Sequence, residues 1–156
     1  MIVNTLNGNL QVHIRQYTRY GKRLYPTKIG INLTPSRFMV LLYSIDAIKL
    51  NVEKVRNSET DVYLKVHLGG GIFARVSSDF RTVDIRRFFL PEGTSAPWPT
   101  RKGIGLRLSE WDALVAHLDD ISKLIDAKPC FEDHPDLSTR LRCEECSPFQ
   151  PFLIQN

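Results

Sequence analysis

The strongest constraint on this chain is that it repeats itself. Tyr25-Pro26-Thr27-Lys28-Ile29-Gly30-Ile31-Asn32-Leu33 matches Trp98-Pro99-Thr100-Arg101-Lys102-Gly103-Ile104-Gly105-Leu106 at an offset of 73, and the match continues through Phe38/Trp111, Leu41/Leu114, Asp46/Asp119 and Ile48/Ile121. Upstream, Val12-His13-Ile14-Arg15 matches Val83-Asp84-Ile85-Arg86 at an offset of 71, so one connecting loop is two residues longer in the second copy. Such length differences are absorbed in surface loops. Two like units, each too small to bury its own apolar surface well, are expected to pack against each other around one core.

Each copy reads as strands followed by one helix. Leu10, Val12 and Ile14 alternate with Gln11, His13 and Arg15, the period-2 pattern of a half-buried strand, which puts Arg15 and Tyr17 on its solvent face. Ile2-Val3 ahead of Asn7-Gly8 supplies a short preceding strand, because Asn-Gly favours a two-residue hairpin turn. In the second copy the run 62–77 is a longer version, interrupted by Gly69-Gly70-Gly71. Those glycines read as a bulge or sharp bend, since neither a helix start nor a lysine follows at the spacing of a phosphate loop. Thr34 as N-cap and Pro35 at the first helical position open one helix, with Phe38, Leu41, Leu42, Ile45 and Ile48 as its apolar stripe. Ser109 with Asp112 opens the other, with Trp111, Leu114, Val115, Leu118 and Ile121 as the matching stripe.

The expected fold class is therefore α+β: two repeats, each an antiparallel sheet of about four strands followed by one helix, forming an intramolecular pseudo-twofold dimer. The first repeat covers residues 1–56, the second 57–125, and a tail containing Cys and His covers 126–156, with a charged, polar linker over 51–61.

Charge is distributed unevenly along these units. Residues 1–56 hold nine basic side chains (Arg15, Arg19, Lys22, Arg23, Lys28, Arg37, Lys49, Lys54, Arg56) against Asp46 and Glu53, residues 57–125 balance, and the tail is acidic. Tyr17, Tyr20 and Tyr25 sit among the cations of the first copy, a mixture that suits a polyanionic partner, against the alternative of a solvated basic face. At 156 residues, with 42% hydrophobic and 24% charged side chains, the composition excludes a disordered chain and a large multidomain enzyme. No apolar run reaches the roughly 18 to 20 residues of a membrane span, and the N-terminal residues lack the pattern of a secretory signal. Three cysteines, an odd number, fit a reducing compartment better than a disulfide framework. The reading is a soluble, intracellular protein.

The second copy carries Asp84-Ile85-Arg86-Arg87-Phe88-Phe89, then Arg101-Lys102-Gly103-Ile104-Gly105-Leu106, then Trp111 and Asp119-Asp120-Ile121. This order of motifs resembles the Positive Cofactor 4 family of transcriptional coactivators over about residues 62–125, and more weakly over 2–48. The resemblance implies a four-stranded antiparallel sheet packed by a helix, a homodimer, a nuclear location and binding of single-stranded or melted DNA across the sheets. It implies DNA contacts from Arg86, Phe88, Phe89, Arg101 and Lys102, and from Arg15, Tyr17 and Lys28 in the first copy. Three departures stand out. The family motif has Trp near Phe89, Ile29 stands where the second copy has Lys102, and duplication in one chain would replace the two subunits.

The residues themselves support such chemistry. An arginine fork pairs phosphate oxygens and also stacks, while Tyr17, Tyr20, Tyr25, Phe88, Phe89 and Trp98 offer flat faces, each worth about 1 to 3 kcal/mol where it stacks on a base. The competing reading of these aromatics is cross-strand packing. In the tail, Cys130, His134, Cys143 and Cys146 supply the four ligands of a structural Zn2+ site, Cys143 and Cys146 at the two-residue spacing that aims both sulfurs at one metal; free thiols beside a surface histidine are the alternative. No nucleophile, histidine and carboxylate constellation recurs between the copies, so an enzyme is not expected. A replication or repair single-strand binder, of viral or mobile-element origin among others, and a protein-interaction adaptor using the tail remain the alternative functions.

Overall fold

The computed structural model describes residues 2–6 and 8–149. Two antiparallel sheets follow one another along the chain. The first has three strands in the order β1-β2-β3: β1 (Ile2–Leu6), β2 (Asn9–Tyr20) and β3 (Arg23–Leu33). The second has four in the order β4-β5-β6-β7: β4 (Tyr63–Gly69), β5 (Ile72–Ser77), β6 (Thr82–Phe89) and β7 (Trp98–Arg107). The β1–β2 pairing closes at Leu6 and Asn9, with Gly8 at φ +81°, as the Asn-Gly signal requires; Asn7 itself lies outside the described residues.

Hairpins β2–β3 and β6–β7 share one register. Val12, Ile14 and Arg15 pair with Leu33, Ile31 and Gly30; Val83, Ile85 and Arg86 pair with Leu106, Ile104 and Gly103. Both ladders then slip at a bulge, between Arg15 and Tyr17 and between Arg86 and Phe88. Glycine is required opposite each arginine because the strands approach closely there. A Cβ on Gly30 would stand 2.8 Å from the Ile14 carbonyl oxygen, and one on Gly103 2.7 Å from that of Ile85. The hairpins differ beyond this point, where β2 and β3 run on to a turn at Gly21-Lys22 while residues 90–97 form an irregular loop.

The helices depart from expectation in three ways. Two helices, not one, follow the first sheet: α1 (Pro35–Tyr43) and α2 (Ile45–Arg56). Thr34 caps α1 by accepting from the Arg37 N–H at 3.3 Å, with Pro35 in the first turn. The break falls at Ser44, whose N–H is shared between the carbonyls of Val40 (3.1 Å) and Leu41 (3.2 Å). Residues 51–56, expected in the linker, belong to α2, because Val52 and Val55 extend the stripe begun at Ile48 and are buried with it. α3 (Leu108–Ser122) starts one residue before Ser109, and its cap comes from Glu110, whose carboxylate accepts from the Arg107 N–H at 2.8 Å.

One core joins the two halves. Phe38 and Leu41 of α1, Ile48, Val52 and Val55 of α2, and Trp111, Leu114 and Leu118 of α3 are buried in a single cluster with the inward residues of both sheets. α1 and α2 lie against β4 and β5 of the second sheet, α3 against β6 and β7, and the edge strands β3 and β7 touch. Among the described residues no helix is long and apolar enough to cross a membrane.

The tail, expected as a separate module, is docked on this body. After α3 come a short 3-10 turn (Cys130–Asp133) and α4 (Leu137–Arg142). Tyr43 of α1 donates to Glu132 at 2.7 Å and meets the Phe131 ring edge-on. Of the C-terminal aromatics, Phe149 packs on the second sheet, while Phe152 lies outside the described residues, as does Pro151.

Candidate nucleic-acid face and metal centre

The bulge fixes each hairpin arginine in the same way. Arg15 Nη1 donates to the Thr27 carbonyl at 2.8 Å, and Arg86 Nη1 to that of Thr100 at 2.9 Å. Thr27 Oγ1 donates to the Gln16 carbonyl and accepts from the Ile29 N–H, and Thr100 Oγ1 does the same with Arg87 and Lys102. The threonine thus replaces the ladder bonds that the slip in register removes.

The electrostatic surroundings of the two arginines differ. Arg86 is held by Asp84 at 3.0 Å, and the same carboxylate takes Arg75 Nη2 at 2.6 Å, so two guanidinium groups share one negative charge. Arg15 meets no carboxylate among the described residues; its second contact is the neutral Asn32 Oδ1 at 3.3 Å. No Asp or Glu precedes Asp46 in the chain, and Arg19, Lys22, Arg23 and Lys28 are exposed on β2–β3 around Tyr20, Leu24, Tyr25 and Ile29. Tyr20 is 70% and Tyr25 44% exposed, with their rings edge to face at 5.9 Å.

On the second hairpin, Arg101 and Lys102 are exposed, and Phe89 pairs across from the exposed Trp98. Tyr17 is half-buried. Phe88 has the cross-strand packing role: at 5% exposure its ring lies beneath the Lys65 ammonium (4.3 Å) and the Arg75 guanidinium (4.9 Å), with Phe73 edge-on at 5.1 Å. Long side chains from β4 and β5 close over it, so no base can lie flat on Phe88 as the chain stands.

The metal-ligand candidates come together from three separate local structures. Cys130 opens the 3-10 turn, His134 follows it, Cys143 caps the end of α4, and Cys146 closes the turn whose Ser147 N–H returns to the Cys143 carbonyl at 2.8 Å. Their ligand atoms all lie within 4.8 Å of one another, with Cys130 Sγ 3.8 Å from Cys143 Sγ and 3.7 Å from His134 Nε2. Sulfurs about 2.3 Å from a tetrahedral metal are about 3.8 Å apart, which is the Cys130–Cys143 separation here. Backbone N–H groups of Cys146 and then Glu145 point at Cys143 and hold its thiol below the usual range, against the effect of burial. Burial, with help from hydrogen bonds to Cys143 and Cys146, pushes the Cys130 thiol up to about 12, and burial raises Cys146 as well. The four residues thus form a candidate Cys3His metal site.

Sequence reasoning missed the residues that lock this centre to the body. Arg37 grips Glu145 through Nε (2.6 Å) and Nη2 (2.7 Å), and the Glu145 carbonyl accepts from the Gly70 N–H at 2.8 Å. The Gly71 N–H donates to His67 Nε2 at 3.1 Å, and burial holds this imidazole below its ordinary pKa, which keeps it neutral and able to accept. The glycine turn is the receptor for this contact, since Gly69, Gly70 and Gly71 have φ +130°, +57° and +81° and side chains there would strike Glu145, Arg37 and Phe149.

In comparisons with family models, with curated proteins and with solved structures, nothing matched this chain.

Proposed function

We propose that the chain is a tandem duplication of a single-strand-binding unit, folded as a pseudo-twofold dimer within one molecule, and that it binds single-stranded or melted DNA in the manner of a transcriptional coactivator, acting in the nucleus. The observation that carries this reading is the β2–β3 hairpin: five cations, Arg15, Arg19, Lys22, Arg23 and Lys28, interleaved with Tyr17, Tyr20 and Tyr25, without one carboxylate in the segment. Cations in such a row follow a phosphate backbone, and exposed rings between them, here those of Tyr20 and Tyr25, stack on bases of any sequence. The matching bulges, threonine bonds and glycines of β2–β3 and β6–β7 support the duplication. By that correspondence Arg101, Lys102, Phe89 and Trp98 are the second hairpin's share of the binding surface. Arg86, bound to Asp84, contributes less long-range attraction than Arg15 does.

In the tail, Cys130, His134, Cys143 and Cys146 would hold Zn2+ in a closed tetrahedron. With four protein ligands and no open position, the ion would act structurally.

The test is a salt titration of the protein against labelled single-stranded and duplex oligonucleotides of equal length, read by fluorescence anisotropy, with mass determined in parallel. Preferential single-strand binding by a monomer is expected, and Arg15→Ala with Lys28→Ala is expected to flatten the salt slope by roughly 0.7 for each phosphate no longer neutralised. Equal affinity for both forms, or a slope unchanged in the double variant, would overturn the reading.

A further inference from the structure

The outer face of the four-stranded sheet carries an arrangement that the hairpin reading leaves unused. Ile72, Ala74 and Val76 of β5 are buried in the core, so Phe73 and Arg75 project from the opposite face. There the Lys65 ammonium sits 4.4 Å from the Phe73 ring centroid and 4.3 Å from that of Phe88, and the His67 ring is tilted 39° against Phe73 at 4.8 Å, so the near-parallel position on Phe73 is the one that Phe149 takes. Arg75 is neutralised by Asp84, but among the described residues Lys65 has no carboxylate partner. Phe149 lies over this floor, its ring 8° from parallel with Phe73 and 6.3 Å away. Gly71 makes room for it, since a Cβ there would approach Phe149 Cζ to 3.0 Å.

Phe149 is a partial match to the face it covers. It supplies a flat ring parallel to Phe73 and supplies no negative charge to Lys65. A nucleotide of a single strand carries both, a base to stack on Phe73 and a phosphate to meet an ammonium that is partly withdrawn from water. We propose that Phe73 and Lys65 form a nucleobase-and-phosphate site on the second sheet, and that Phe149 of the chain's own tail occupies the base position until a single strand displaces it. This rests on the single-strand reading above and adds to it a second site, governed by the tail.

The experiment measures a fluorescein-labelled oligothymidylate by anisotropy at fixed salt against the full chain and its variants. Phe149→Ala is expected to bind more tightly by about fivefold or more, the low end of what one stacked base contributes once the tail no longer opposes it. Adding Phe73→Leu to that variant is expected to remove the gain. Thermal melting of each variant establishes folding, and NMR of the labelled Phe149 ring in the unaltered protein is the check that needs no substitution: its resonances are expected to shift on adding the oligonucleotide. Binding by the unaltered protein with Phe149→Ala unchanged, or Phe149 resonances that stay in place at saturation, overturns this inference and leaves the hairpin reading intact. Absence of binding in every variant overturns both.

Discussion

Arg37 and Glu145 stand 108 residues apart in the chain and meet in a two-point ion pair, Nε and Nη2 to the two carboxylate oxygens at 2.6 and 2.7 Å. Arg37 lies in the first turn of α1, and Glu145 lies inside the turn that joins Cys143 to Cys146. Because the Glu145 carbonyl also takes the Gly70 N–H, one residue ties the first helix to the β4–β5 turn and to the candidate metal centre. The tail therefore links the two halves in addition to the shared core.

Arg37→Ala is expected to lower stability by about 2 kcal/mol, since it leaves the half-buried Glu145 without its charged partner. For a chain of this length that is a fall in Tm of about 4 to 8 °C. Arg37→Lys keeps the charge and loses the fork, so a partial fall is expected. Thermal melting followed by circular dichroism measures both, and a Tm equal to that of the parent in Arg37→Ala would show the ion pair to be energetically idle.

Metal removal is expected to loosen the tail and spare the sheets. The four ligands lie within residues 130–146, whereas the buried cluster is built from elements before residue 126. Native mass spectrometry is expected to find one Zn2+ per chain, absent from Cys143→Ser, and a chelator is expected to lower Tm while the strand signal in far-ultraviolet circular dichroism persists. Protein purified without chelators that carries no metal would remove the Zn2+ assignment and leave three thiols and a histidine packed together.

What could be read from the sequence follows from how local each signal was. The β2–β3 and β6–β7 strands were legible because alternation and the repeated Gly-Ile-x-Leu segment are properties of short windows, whereas the bulge at which both ladders slip depends on the partner strand. The end of α2 was obscured because Asn51, Glu53, Lys54 and Arg56 surround Val52 and Val55, and polar residues at helical spacing read as a linker until the partner surface on β4 and β5 is known. The burial of Phe88 depends on Lys65 and Arg75, and Lys65 reaches it from β4, which lies two strands away in the sheet and pairs only with β5. The triple glycine announced a bend. Its partner Glu145 lies about 75 residues away, where no periodicity could link them. The Asp84 pairing with Arg86 did have a local signal: residues two apart on a strand share a face.

Alanine at Gly30 or Gly103 is expected to destabilise the chain by about 1 to 3 kcal/mol, the usual cost of forcing extra volume into a packed site. In each case the new Cβ meets backbone, the Ile14 carbonyl or the Ile85 carbonyl, which cannot swing away as a side chain would. Gly105→Ala is the control, because its nearest neighbour would be Asp84 Oδ1 at 3.9 Å, an ordinary van der Waals distance. Urea unfolding of the three variants decides the matter. Equal losses of stability in all three would mean that strand propensity, and not close approach at the bulge, is what alanine disturbs.

The two hairpins of like register offer a charge experiment. Asp84, two residues before Arg86, holds Arg75 and Arg86, while the residue two before Arg15 is His13. Asp84→Asn removes the shared carboxylate and leaves two guanidinium groups free to meet phosphates. Single-strand affinity is then expected to rise at low salt and the salt slope to steepen by roughly 0.7 for each further phosphate neutralised. Stability is expected to fall by about 1 to 3 kcal/mol, because the carboxylate is only 14% exposed and two cations lose their partner. His13→Asp is the converse change: it imports the carboxylate next to Arg15, and the slope is expected to become shallower by about the same amount. Opposite shifts in the two variants would assign long-range attraction to the unneutralised arginine of the first hairpin. If both slopes equal the parent's, the bulge arginines serve the backbone bonds to Thr27 and Thr100, and the phosphate track runs through the hairpin tips instead.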